Sequence, residues 1–269
     1  MRLEHYLDRL GARPPFGAPA AAISRLHLAH REAFLFENIS IQTGGRISLA
    51  LADLERKFLD ERRGGYCFEH NVLFAAALGA LGFNPTTLLG RVRRGPPERW
   101  ARTHMVLRLP IDGAPWLADV GFGGLGLLEP IPLRHGAASM QGGLTYTLRR
   151  DDDLWVLSMR DAAGSSTDLY EFGDDPQTPA DVEVANHYTS THPDSIFRQT
   201  LTIQRARRDE RTILRNGTLT RYREGMMAEE PVERGRLHEI ARDVFGVELP
   251  GGPFVFEAAA PASDPASSR

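Results

Sequence analysis

Three residue types in this 269-residue chain could combine to do nucleophilic chemistry: a thiol, an imidazole and a carboxylate. The thiol is Cys67, the only cysteine, set in "RRGGYCFEHN" and followed by a long apolar run. Gly64 and Gly65 break the preceding segment, so Cys67 falls in the first turn of the next helix. There the positive end of the helix dipole favours a thiolate. Taken alone, a single cysteine is more often inert core than nucleophile. A nucleophilic thiol also needs a base, and nine histidines compete for that role. His5, His27 and His30 read as exposed helix positions, His135 as loop, and His238 as the polar side of the last helix. His70, three residues beyond Cys67 on the same helix, is a rival by proximity. His104, in "RTHMVLRLP", shares a strand face with Val106 and Arg108, while Met105, Leu107 and Leu109 point the other way.

The carboxylate is Asp119 of "PWLADVGFGG", on the strand after His104. A four-residue "PIDG" loop pairs Leu109 with Ala114 and sets His104 directly opposite Asp119. A two-residue Asp112-Gly113 turn makes them diagonal neighbours on one face instead. Either even loop preserves the shared face; an odd loop or a bulge breaks it. In a Cys-His-Asp set the carboxylate fixes the imidazole tautomer and the imidazolium holds the thiolate, which suits acyl transfer or hydrolysis through sulfur. Directly after Asp119 comes "GFGGLG", with Gly121, Gly123, Gly124 and Gly126. Such a turn can present backbone N–H groups to phosphate, although a plain barrel turn explains it equally well and neither a Walker A lysine nor a Rossmann unit accompanies it. Beside an acyl-thiol site it suggests a pyrophosphate-bearing acyl carrier.

The elements that must position these groups follow from texture. Residues 1–85 read as helical: "LEHYLDRLG", "PAAAISRLHLAHREAFLF", "SLALADLERKFLD" and a buried helix from Cys67 to Leu81 that ends at Gly82. Beyond Pro85, residues 86–195 carry short Val-, Leu- and Thr-rich runs such as "TTLLGRVRR", "HMVLRLP", "LTYTLRR" and "LWVLSMR" with hairpin-length links. Five or six such strands without crossover helices predict an antiparallel sheet or barrel. Residues 196–256 add more strands and a helix in "PVERGRLHEIARDVFG", and the small, Pro-rich tail 257–269 cannot bury enough surface to order itself.

Composition bounds the rest. With 42% hydrophobic and 25% charged residues the chain has an ordinary globular profile. A net charge of -3 gives no reason to expect nucleic acid, and "RVRR" and "RARRDER" read as solvated faces. One cysteine excludes an internal disulfide and a multi-thiolate metal site, so no metal is called for. The charged N-terminus and the lack of a long apolar window predict a cytoplasmic protein with no membrane partner.

"RGGYCFEHN", "THMVLRL" and "DVGFGG", in this order, resemble the arylamine N-acetyltransferases; "FLFENISI" at 34–41 and "NHYTSTHPDSIF" at 186–197 add to the likeness, which covers residues 1 to about 250. The resemblance implies an α+β fold in three parts with a cysteine-protease-like Cys-His-Asp arrangement. These parts are an N-terminal helical bundle holding Cys67, a central antiparallel β-barrel supplying His104 and Asp119, and a C-terminal α/β lid. It implies ping-pong chemistry, in which acetyl-CoA acylates Cys67, coenzyme A leaves, and an aromatic amine or hydrazine attacks the thioester. It further implies Phe36, Val92, Phe122 and Phe197 as the pocket for the amine ring, and Gly121, Gly123, Gly124 and Gly126 as the CoA pyrophosphate loop. Glu37 and Arg63 are expected to brace the cysteine loop as an ion pair, and His70 is expected to be structural. Arg102, Thr103 and His187 stand where this chain departs from the family pattern. The competing readings are an amide synthase of the same family, a cysteine hydrolase of transglutaminase or papain type, and a binding module with an incidental cysteine.

Overall fold

A computed structural model describes residues 1–14, 17–251 and 254, so the tail expected at 257–269 lies outside the described residues. The helical part begins with α1 (Leu3–Leu10), which stops at Gly11 in the left-handed conformation, and α2 (Pro19–Ala33), which has proline at its first position. A two-residue strand β1 (Phe36–Glu37), the short helices α3 (Ile39–Gln42) and α4 (Leu51–Glu55), and α5 (Cys67–Ala80) follow.

Eight strands make the central sheet: β2 (Thr86–Val92), β3 (His104–Ile111), β4 (Ala114–Ala118), β5 (Ile131–Pro132), β6 (Ala137–Gln141), β7 (Leu144–Asp151), β8 (Leu154–Arg160) and β9 (Ser166–Phe172). Their order is β5-β4-β3-β2-β9-β8-β7-β6 with every neighbouring pair antiparallel, and the edge strands β5 and β6 approach one another so that the sheet nearly closes into a barrel. The strands beyond the five or six read from texture are short ones at the edge. Met105, Leu107, Leu109 and Ile111 pack against α1, α2 and α5, whereas Val106 faces the barrel interior with Leu88, Leu148 and Leu157. The alternation expected along β3 thus divides two cores.

Residues 179–191, counted with the strands above, form helix α6 (Pro179–Thr191). Thr178 caps it, with the Asp181 carboxylate accepting from the Thr178 backbone N–H at 2.8 Å and Pro179 at the first helical position. After α7 (Ile196–Gln199), strands β10 (Thr202–Ala206), β11 (Glu210–Arg215), β12 (Thr218–Arg223) and β13 (Met226–Pro231) extend β1 into a second antiparallel sheet, packed under α8 (Leu237–Phe245). Among the described residues no helix is long and apolar enough to cross a membrane.

Two of the histidines expected on an exposed face are fully buried, because α2 is covered on both flanks. His30 accepts at Nδ1 from the Tyr6 hydroxyl (2.7 Å) and donates from Nε2 to His70 Nδ1 (2.9 Å), and His70 Nε2 donates to the Leu35 carbonyl (3.0 Å). Only one set of neutral tautomers satisfies this chain. It makes His70 structural by its contacts, tied to α2 rather than to Cys67. His27 is buried separately against the loop after β4. Burial lowers the pKa of His27 to about 4 and of His70 to about 3, and holds His30 well below its usual value.

These groups stay neutral when folded and gain protons when unfolded, so their contribution is complete above pH 6.5 and is lost as pH falls from there towards 4. Each histidine then contributes about 1.4 kcal/mol per pH unit to the loss. Urea midpoints should fall steeply between pH 6.5 and 4.5, and replacing His30 and His70 by a packed apolar pair should flatten that slope.

Candidate active site

The backbone around Cys67 is built by close approach. The Gly64-Gly65 segment lies against β1, with the Glu37 backbone N–H donating to the Gly65 carbonyl at 2.8 Å. A Cβ on Gly64 would stand 1.8 Å from the Leu35 carbonyl oxygen, so Gly64→Ala must push two backbones apart. We expect it to destabilise the fold by about 3 kcal/mol or more, read as a lowered urea midpoint; an unchanged midpoint would show that the cysteine turn can move freely. Glu37 is buried and pairs with Arg63 at 2.8 and 3.0 Å while its other oxygen accepts from the Ile39 backbone N–H at 2.7 Å. The expected ion pair therefore ties the residue before the two glycines to β1 and α3. Glu69, two residues past Cys67, accepts from the Tyr66 backbone N–H (3.1 Å) and pairs with Lys57 (2.7 Å).

Cys67 is the first residue of α5, and its sulfur lies 3.7 Å from the Thr103 carbonyl, at the entry to β3. His104, the next residue, is bonded through Nε2 to Asp119 Oδ2 at 2.7 Å. That leaves Nδ1 as the ring nitrogen available to sulfur. The link between β3 and β4 is the two-residue turn, with Asp112 at φ 50° and Gly113 at φ 80° and Ile111 paired to Ala114. His104 and Asp119 are consequently diagonal neighbours rather than directly opposed, because the Asp-Gly pair suits this tight turn better than a four-residue loop. Asp119 is completed by Asn71, whose side chain donates to Oδ1 (3.0 Å) and to the Met105 carbonyl (2.7 Å), and by the Gly121 backbone N–H at 2.8 Å. The glycine loop sits directly on the cysteine: a Cβ on Gly121 would be 2.6 Å from the Cys67 carbonyl oxygen.

Electrostatics divides the roles. Burial alone would raise the Asp119 carboxyl, but His104, Asn71 and the Gly121 N–H hold it well below the usual carboxylate range. Burial pushes the Cys67 thiol up, and the Asp119 charge adds to this; the Phe68 N–H at the helix start acts in the opposite direction. The N–H at the helix start thus acts on the thiol in the expected direction, while burial and the Asp119 charge act against it. The group placed to take the proton of this sulfur is His104, through Nδ1.

The residues expected around an amine ring fall into two groups. Phe36 and Phe197 meet at 6.0 Å between ring centroids, and Phe197 also meets Tyr66 edge-on at 5.3 Å. Phe122 packs edge-on against His104 at 5.2 Å, and Val92 pairs across the strands with Tyr170. Tyr170 is itself 4.8 Å from the His104 ring, and its buried hydroxyl faces Asp119 without a hydrogen bond of normal geometry.

In the glycine loop, the Gly121 N–H is taken by Asp119, the Gly124 N–H by Gln204 and the Gly126 N–H by the Gly123 carbonyl. Three of the four glycine donors offered for phosphate are therefore already used inside the protein. Sequence reasoning did not single out Asn71, Tyr170, His27, Arg31 or Arg211 at this site. Asn71 was within reach, since i and i+4 on a helix share a face with Cys67.

A family model described as N-acetyltransferase matches residues 21–253. An arylamine N-acetyltransferase / N-hydroxyarylamine O-acetyltransferase of Salmonella typhimurium is 37% identical across 85% of this chain and 82% of its own length. The chain belongs to the arylamine N-acetyltransferase family. Among solved members of that family, the Nocardia farcinica enzyme superposes with a TM-score of 0.86 at 37% identity, covering 93% of this chain and 90% of that one. The Mycobacterium marinum arylamine N-acetyltransferase, solved in complex with CoA, superposes with a TM-score of 0.85 at 32% identity over 91% of this chain and 92% of that one. The barrel, the bundle and their antiparallel order are thus those of the arylamine N-acetyltransferase fold.

Proposed function

We propose that this chain transfers an acetyl group from acetyl-CoA to an aromatic amine or hydrazine through a thioester on Cys67. Cys67, His104 and Asp119 are the catalytic residues. As sulfur attacks the acetyl carbonyl, His104 Nδ1 takes the thiol proton and the Asp119 carboxylate stabilises the imidazolium. Collapse of the tetrahedral adduct breaks the bond to the CoA sulfur, which receives the proton from His104. The amine then attacks acetyl-Cys67, His104 takes its proton, and the thiol is regenerated. The observation that carries the reading is the buried His104–Asp119 bond at the entry to the strand that the Cys67 sulfur meets. Cys67, His104 and Asp119 are all nearly inaccessible to solvent, which favours transfer to an amine over hydrolysis of the thioester.

In this reading Phe36, Phe197, Phe122 and Val92 line the amine site, and the loop holding Gly121, Gly123, Gly124 and Gly126 borders the coenzyme. With its donors largely engaged, the loop contributes shape and the Gly123 N–H more than a full cradle of N–H groups. Residues 1–85, 86–195 and 196–256 act as a cysteine-bearing bundle, a barrel and a lid, in a protein working in the cytoplasm. The test is a screen of arylamines and arylhydrazines with acetyl-CoA. Release of CoA beyond one equivalent per enzyme only when an acceptor is present supports the proposal; continued CoA release at the same rate with water alone would favour a hydrolase.

A further inference from the structure

Helix α2 sends two buried polar side chains, one turn apart, under the loop that follows β4. His27 accepts at Nε2 from the Asp119 backbone N–H (3.1 Å) and donates from Nδ1 to the Leu128 carbonyl (2.9 Å). One imidazole therefore ties together the first and last residues of the ten-residue segment 119–128. Arg31, on the same face, donates to the Val120 carbonyl at 3.1 Å and to the Gly123 carbonyl. From the opposite side buried Arg211 donates to the Gly124 and Gly126 carbonyls, both at 2.8 Å. Neither arginine has a carboxylate partner among the described residues; Arg31 donates to the loop, and Arg211 divides its donors between the loop, the Tyr146 hydroxyl (2.7 Å) and the Gln141 carbonyl (3.0 Å).

We infer that His27 is a positioning residue for the proton relay: by holding the Asp119 backbone from beneath, it sets the carboxylate against His104 Nε2. The inference rests on the catalytic reading of Cys67, His104 and Asp119 and adds a residue to it. Three links make the case. The Asp119 side chain is held by Asn71, His104 and the Gly121 N–H, all of which define directions for its oxygens. The position of its Cα, however, is set by the backbone, and β4 pairing ends at Ala118, one residue earlier. The first backbone anchor beyond the sheet is His27. A shift of about 1 Å at this point would lengthen a 2.7 Å bond out of its useful range, and misplacement of that size can cost about a hundredfold in rate.

Glutamine can place its carbonyl oxygen where Nε2 lies and accept from the Asp119 N–H, whereas asparagine reaches only the position of Nδ1, towards the Leu128 carbonyl, and leucine makes neither contact. We expect His27→Leu to lower kcat about tenfold or more while KM for acetyl-CoA changes less than about twofold, and His27→Gln to restore most of kcat. Iodoacetamide labelling of Cys67, which needs no acetyl-CoA, should slow in His27→Leu and recover in His27→Gln at neutral pH. If leucine prevents folding, the contrast between His27→Gln (near normal) and His27→Asn (slow) decides the matter. A folded His27→Leu or His27→Asn with normal kcat and normal labelling would overturn the inference, as would losses that follow the unfolded fraction with no rescue by glutamine. A wild-type protein that transfers no acetyl group, but whose labelling still depends on residue 27 in this way, would refute the acetyltransferase reading and leave the role of His27 standing.

Discussion

Cys67→Ala should eliminate acetyl transfer, lowering kcat by about 10⁴-fold or more, because no other thiol exists in the chain to carry the acyl group. The fold should tolerate the change. The side chain is buried among apolar neighbours, and removing its one sulfur atom costs about 1 kcal/mol. The check is steady-state CoA release alongside a thermal melt. Activity within tenfold of wild type in a folded Cys67→Ala protein would mean direct transfer from acetyl-CoA to amine, with the cysteine as packing.

Asp119→Asn should be nearly as severe, about a thousandfold in kcat, for a reason that is geometric more than electrostatic. The Asp119 Oδ2 atom accepts from His104 Nε2 at 2.7 Å, which leaves Nδ1 with a lone pair to take the thiol proton. An asparagine can present its amide N–H to Nε2, forcing the proton onto Nδ1 and removing the base. Loss of the negative charge also removes one of the influences that raise the Cys67 thiol pKa. A purely electrostatic account would therefore predict faster alkylation of Cys67 in Asp119→Asn, whereas the relay predicts slower alkylation together with slower turnover. Stopped-flow labelling with iodoacetamide between pH 6 and 8 separates the two.

Much of this site was legible because local chemistry and tertiary structure agreed. Gly64-Gly65 before an apolar run located the start of α5, and the alternation along "HMVLRLP" correctly separated a bundle face from a barrel face. Asp112-Gly113 contained the register, although a two-residue turn and a four-residue loop read alike until the φ values distinguish them. What stayed hidden depended on partners distant in sequence. "HLAHR" looks like a solvated helix face, yet His30 meets Tyr6 and His70, and His27 and Arg31 meet carbonyls and an N–H between residues 119 and 128. Helix α6 carries its signal in the sequence: Thr178, Pro179 and Asp181 form a capping sequence that outweighs the β-branched residues behind it. A helix start in the sequence likewise indicates the N–H that lowers the Cys67 thiol pKa, but not the depth of burial that raises it.

The most direct test of the account is mass spectrometry of the protein mixed with acetyl-CoA and quenched before any acceptor is added. The account predicts one acetyl group, located on the peptide containing Cys67 and lost when an arylhydrazine is added, with the acetylated hydrazide appearing in equal amount. Acetylated hydrazide formed without any acetyl-Cys67, or an acetyl group carried on another residue, would contradict it.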